Sequence, residues 1–419
     1  MRWATGVLAV VLAACGHPGG SSGSAGRNGV AVSAPSAQAE LQGDATRGRQ
    51  LVEQFECTRC HVVASVPTPA KDKQCTGCHH DINAGTGEAA TATAEQRARW
   101  RPKVADLGDV PSLVAVGGRL RRAWVQSFLL HPYDVRPSLQ PMMPRLPLSP
   151  QQAADLATYL SPVDDGRGDD RASVLSGADA ARGRELMGVK GCAVCHRMTG
   201  VAPLYAGMMP ANVTAEDMPR AIRLAPDLRF TRDRWGASQL VRWLMDPTQV
   251  KPDTPMPKMG LAEDEAKAIA AYLLDTPLGP RERIAVPTRL PVLARKVTYD
   301  EVAVRVLRKT CWHCHGEPDF ERGDGGPGNS GGFGFKGRGL NLSDYPSTFS
   351  GFLDDSGQRT SVFTPTGDGT SYLVAAMIAR QHEEAGEETE LRGMPLGLPA
   401  VSPEDLQLVE TWIAQGRPR

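Results

Sequence analysis

The feature that most constrains this chain is a motif used four times, two cysteines separated by two residues with a histidine directly after. It occurs as Cys57-Thr58-Arg59-Cys60-His61, Cys75-Thr76-Gly77-Cys78-His79, Cys192-Ala193-Val194-Cys195-His196 and Cys311-Trp312-His313-Cys314-His315. Thiols at this spacing lie one turn apart and reach the two vinyl groups of a single porphyrin, and the next residue turns an imidazole onto the iron. Cys57, Cys60, Cys75, Cys78, Cys192, Cys195, Cys311 and Cys314 therefore read as thioether sites for four covalent haems c, with His61, His79, His196 and His315 as iron ligands. A chain that carries such groups folds around them as much as around its own side chains. Of its nine cysteines, only Cys15 stands outside the motifs. Disulfides, the ordinary use of cysteine in an exported protein, leave the four histidines unexplained. The first two pairs also approach a four-cysteine zinc spacing, but zinc would leave His61 and His79 without a purpose.

The N-terminus bears on the compartment. Arg2 gives a positive start, Val7 to Leu12 is apolar, and Leu12-Ala13-Ala14-Cys15 ends the run. The apolar run is too short to span about 30 Å of hydrocarbon at about 1.5 Å per residue. This segment resembles a bacterial lipoprotein signal, which implies that residues 1–14 are removed and that Cys15 is lipidated. The expected location is the cell envelope, lipid-anchored and facing the periplasm or exposed at the surface. Gly16 is not the Asp that retains many such proteins at the inner membrane, so the outer membrane is preferred. Residues 15–44 are rich in Gly, Ser and Ala and read as a flexible tether. Nothing after the N-terminus is apolar enough to cross a bilayer. Lys plus Arg and Asp plus Glu both total 47, so the basic excess that a nucleic-acid partner requires is missing.

With 419 residues, the chain should divide into about three domains. The first two are repeats of one pattern. Arg47-Gly48-Arg49-Gln50-Leu51 and Arg182-Gly183-Arg184-Glu185-Leu186 precede Cys57 and Cys192 at the same offset. Downstream, His131-Pro132 leads to Met142-Met143-Pro144, and Asp246-Pro247 leads to Pro255-Met256-Pro257. An amphipathic helix ending in Tyr159-Leu160 or Tyr272-Leu273 follows each. Both units resemble class I cytochrome c domains, and the resemblance implies Met143 and Met256 as sixth iron ligands opposite His61 and His196. Methionine fills core gaps more often than it binds metal, so the ligand reading rests on the Met-Pro placed before a helix in both units. From Thr298 the character changes. Thr298 to Glu301 is a capping box, Ser402 to Asp405 caps a last helix, and Gly393-Met394-Pro395 lies between them. This part resembles a planctomycete-type cytochrome c domain, which implies His315 and Met394 as axial ligands. The Gly-rich stretch from Gly323 to Gly339 reads as an exposed loop.

The expected fold is all-α, mostly helical with long irregular loops, in three tandem cytochrome c-like domains at 45–162, 177–278 and 298–419. Linkers fall at 163–176 and 279–297. The 44 glycines and 33 prolines fit such loops. The first domain departs from the pattern, with two haem motifs but one good Met-Pro. His131 is the leading candidate for the sixth ligand of the Cys75–Cys78 haem, against an ordinary reading as a helix-end residue before proline. Six-coordinate irons leave no position for substrate and make an electron carrier that serves redox protein partners or a respiratory complex. A five-coordinate second haem would instead suit a peroxidase or a small nitrogen-oxide reductase. No carboxylate pair, nucleophile with base, or phosphate-binding glycine motif stands out.

Overall fold

The computed structural model describes residues 41–104, 108–114, 116–139, 142–162, 170–207, 214–282, 284–317 and 326–419. The fold is all-α, about 48% helical with two short strands among the described residues. Residues 45–160 form α1 (Ala45–Gln54), α2 (Cys75–Ala84), α3 (Ala94–Val104), α4 (Arg122–Leu130) and α5 (Pro150–Leu160). Residues 180–275 form α6 (Ala180–Val189), α7 (Ala237–Met245) and α8 (Glu263–Asp275). In the last part a helical run from Tyr299 to His315, π-helical over Ala303–Cys311, precedes α9 (Tyr372–Glu384) and α10 (Pro403–Ala414). Strands β1 (Phe352–Leu353) and β2 (Arg359–Thr360) pair antiparallel. Among the described residues, no helix is long and apolar enough to cross a membrane.

The two repeated units start and close in the same way. Asp44 caps α1 by accepting the Arg47 N–H at 2.8 Å, and Asp179 caps α6 by accepting those of Ala181 and Arg182. Ser149 and Gln152 form a capping box at the start of α5, where Pro150 supplies the fixed φ of a first helical position. The repeated Arg-Gly-Arg then has a steric reason. A methyl group at Gly48 would collide with the Asp155 carbonyl of α5, and one at Gly183 with the Ala268 carbonyl of α8. Each first helix thus crosses its closing helix at a distance that only glycine permits. In the first unit Asp155 adds a polar tie. Its carboxylate takes the Arg47 Nε at 2.8 Å and the Asp44 N–H at 2.8 Å.

The first two units share one hydrophobic core. Val52, Phe55 and Leu156 from one join Met187, Trp235, Leu240 and Ile269 from the other in a continuous buried cluster. A second core, built on Val302, Leu307, Leu342, Leu406 and Trp412, fills the C-terminal part. Ile82, Ala89 and Val104 make a third, small one beneath Cys78 and Trp100. The Gly-rich stretch expected as an exposed loop is partly packed. Phe333 and Phe335 lie against the first core, and Glu56 accepts the Phe333 N–H at 3.1 Å. The segment between 279 and 297 is also tied down. Leu293 donates its N–H to Thr411 at 2.9 Å, and Arg289 pairs with Glu410.

The close crossings can be tested by substitution. Gly48→Ala and Gly183→Ala should each lower unfolding free energy by about 1–3 kcal/mol, the usual cost of forcing an extra methyl into packed structure. Gly118→Ala, with open space around the added carbon, should stay within about 0.5 kcal/mol. Denaturant titration followed by helical circular dichroism checks this. Equal stability of all three variants would contradict the glycine-dependent crossing.

Candidate functional site

The histidines of the first and third motifs are held alike. His61 Nδ1 lies 2.8 Å from the Pro111 carbonyl oxygen, and His196 Nδ1 lies 2.9 Å from that of Pro226. A carbonyl oxygen can only accept, so Nδ1 carries the proton in both rings and Nε2 keeps its lone pair. Burial pushes both imidazoles below their ordinary pKa, which favours the neutral form that ligates a metal. Pro111 and Pro226 thus set the tautomer and orientation of the two rings.

Both rings line one cavity of about 580 Å³. Cys57, Cys60 and Met143 line it with His61, and Cys192, Cys195 and Met256 line it with His196. The structure therefore brings together the thiol pair, imidazole and thioether expected for each of the two repeated units. Burial raises the Cys57 and Cys192 thiols to about 11 and Cys311 to about 12. Such thiols resist becoming thiolates, whereas the thioether formed with a vinyl group carries no charge and suits an apolar wall. Among the described residues, no group of three or more His, Cys, Asp or Glu side chains could hold a metal ion. The four-cysteine zinc arrangement is not assembled by Cys57, Cys60, Cys75 and Cys78.

Met256 has a partner that the sequence does not reveal. The Trp243 indole N–H donates to its Sδ at 3.0 Å. A sulfur that accepts a hydrogen bond gives up electron density, and that tunes its strength as a ligand. At the second motif, α2 begins at Cys75, and Thr76 Oγ1 donates to the Cys60 carbonyl at 3.3 Å. The Cys75–His79 motif is therefore docked directly on the first. His80 is exposed but borders the shared cavity. His131 follows α4, has a side chain 56% exposed, and sits 3.8 Å from the Glu388 carboxylate. It is not among the residues that line the cavity.

The fourth motif stands in the C-terminal core. His315 is half-buried, and loss of solvent around the ring pushes its pKa down to about 4. Gly328 lies so close to the imidazole that a Cβ there would collide with it. The Leu342 N–H reaches the His315 carbonyl at 2.6 Å. Met394 is half-buried beside α9, its N–H donated to the Ala376 carbonyl at 2.9 Å. Cys15 lies outside the described residues.

Residues 180–277 match the cytochrome c family model. No curated protein and no solved structure matches the chain. The matched segment contains Cys192, Cys195, His196 and Met256, and the match supports a haem-binding electron-transfer protein with covalently bound haem c. The residues around the cavity fit that group: paired thiols, an imidazole whose Nδ1 is tied to a carbonyl so that Nε2 keeps its lone pair, and a thioether on the same cavity wall. When bound, haem supplies a one-electron couple. His61 and His196, with Met143 and Met256, are the residues that would hold it, and Pro111 and Pro226 fix the imidazole tautomer.

Trp243 provides a test of this arrangement. Trp243→Phe keeps an aromatic ring but removes the N–H that polarises the Met256 sulfur, so one redox component should move to lower potential while the others stay. A spectroelectrochemical titration reads this directly. Unchanged potentials would mean that the indole does not act on the ligand.

Proposed function

We propose that this chain is a membrane-anchored tetrahaem cytochrome c that passes single electrons between redox proteins of the cell envelope. In this reading Cys15 carries the lipid, and cytochrome c-like domains occupy 45–162, 177–278 and 298–419, joined by segments 163–176 and 279–297. His61 with Met143, His196 with Met256, and His315 with Met394 are the axial pairs. A soft thioether opposite an imidazole favours the ferrous state and raises the potential. Iron ligated on both faces leaves no position for a substrate, so these three sites exchange electrons only. The observation that carries the reading is the single cavity lined by two complete sets of thiol pair, imidazole and thioether. The docking of Thr76 on Cys60 supports a second haem held beside the first.

Carbon monoxide binding to the reduced holoprotein tests carrier against catalyst. The three histidine–methionine irons should not bind it, and a redox titration should show three higher components and one lower component from the Cys75–Cys78 haem. Carbon monoxide uptake at that one iron, together with peroxide or nitrogen-oxide turnover, would replace the carrier reading with an enzyme.

A further inference from the structure

The two loops expected to carry axial methionines in the first unit and in the C-terminal part meet each other. One runs Met143-Pro144-Arg145 and the other Gly393-Met394-Pro395. Between them stands Glu383, near the end of α9, with a side chain only 7% exposed. Its Oε1 accepts the Gly393 N–H at 3.0 Å and an Arg145 guanidinium N–H at 3.2 Å. One carboxylate oxygen is thus bound to the residue before Met394 and to the residue two places after Met143. Arg380 completes the set, 3.5 Å from Oε2, and its Nε donates to the Leu398 carbonyl at 2.9 Å.

A second contact joins the loops independently. Gly397 has a φ of +67°, and a Cβ there would lie 2.9 Å from the Met142 carbonyl oxygen. Only glycine combines that conformation with that approach. Gly393 is equally confined, since a Cβ there would lie 2.5 Å from the Arg380 Cα. An exposed ion pair contributes little, but a carboxylate as buried as Glu383 is costly unless each of its partners stays in place. Its burial therefore holds the two loops at one spacing.

We propose that Glu383 and Arg145 are positioning residues that clasp the Met143 and Met394 loops together, so that the thioethers of the first and fourth sites are held or released as one. Groups behind a ligand set its orientation and strength, and here one carboxylate serves two ligand loops. This inference rests on the reading of Met143 and Met394 as iron ligands.

The test is a redox titration of full-length holoprotein carrying Glu383→Gln or Arg145→Gln, with the sulfur-to-iron absorption of the oxidised form read alongside. The two substitutions change the local charge in opposite senses. Charge alone would raise potentials when the carboxylate is lost and lower them when the guanidinium is lost. A released clasp loosens both methionines in either variant, and loss of methionine sulfur lowers the potential. Both variants should therefore lower the same two of the four components, with the reduced-to-oxidised ratio of each falling about tenfold at fixed potential, equivalent to about 59 mV for one electron. Both should also lose sulfur-to-iron absorption. Arg145→Lys keeps a cation within reach of Glu383 and should retain most of that absorption. The Arg145 side chain is 29% exposed, so its variants cover the case in which Glu383→Gln does not fold. Absorption then decides, because a change of charge alone leaves the sulfur on the iron. Shifts of opposite sign, a shift confined to one component, or unchanged absorption in the folded variants would overturn the proposal. Haem count in the denatured protein separates the two ideas. If the clasp alone is wrong, four haems remain attached and the variants absorb as the wild type does. If the cytochrome reading is wrong, the wild type itself carries no covalent haem at these motifs, and the proposal falls with it.

Discussion

An imidazole that donates Nδ1–H to a main-chain carbonyl has only its Nε2 lone pair left to offer, and the site architecture depends on this bond. His61 makes it to Pro111 and His196 to Pro226. In each unit the chain must leave the motif, travel around the cavity and return a carbonyl to the back of the ring. The first unit does this over a longer path that includes α2 and α3, yet the bond length is nearly the same. An extra motif can be added inside that path because lengthening a closed loop costs little. Thr76 then fastens the addition to the first motif through the Cys60 carbonyl.

Much of this was legible because the chemistry needs particular side chains. Thioether attachment requires cysteine, and iron ligation requires histidine or methionine, so the motifs and the Met-Pro pairs stand out. The repeated glycines are visible for a similar reason, since only glycine allows the crossing at Asp155 and Ala268. Pro111 and Pro226 act through backbone oxygen, which every residue possesses, so nothing in the sequence marks them as acceptors. The merging of the first two cores was also hidden, because hydrophobic periodicity shows that a face is buried and not what buries it. His131 illustrates the limit. Its position in the repeat suggested a ligand, whereas its side chain is largely exposed near Glu388.

The C-terminal part is joined to the first unit by mixed contacts. Arg59 lies 5.4 Å from the centre of the Phe333 ring, Glu56 accepts the Phe333 N–H, and Arg145 pairs with Glu383 at 3.2 Å. Glu56 directly precedes Cys57 and Arg59 directly precedes Cys60, so this contact falls on the motif itself. The fourth site thus belongs to a segment packed on the first site.

The account stands or falls on the number of covalent haems in one polypeptide. Intact-mass spectrometry of the denatured, mature protein counts them without reference to spectra or activity. The account predicts the mass of the processed chain plus four haems. A fully matured protein with three or fewer haems, or with zinc retained at the paired cysteines of the first two motifs before denaturation, would contradict it.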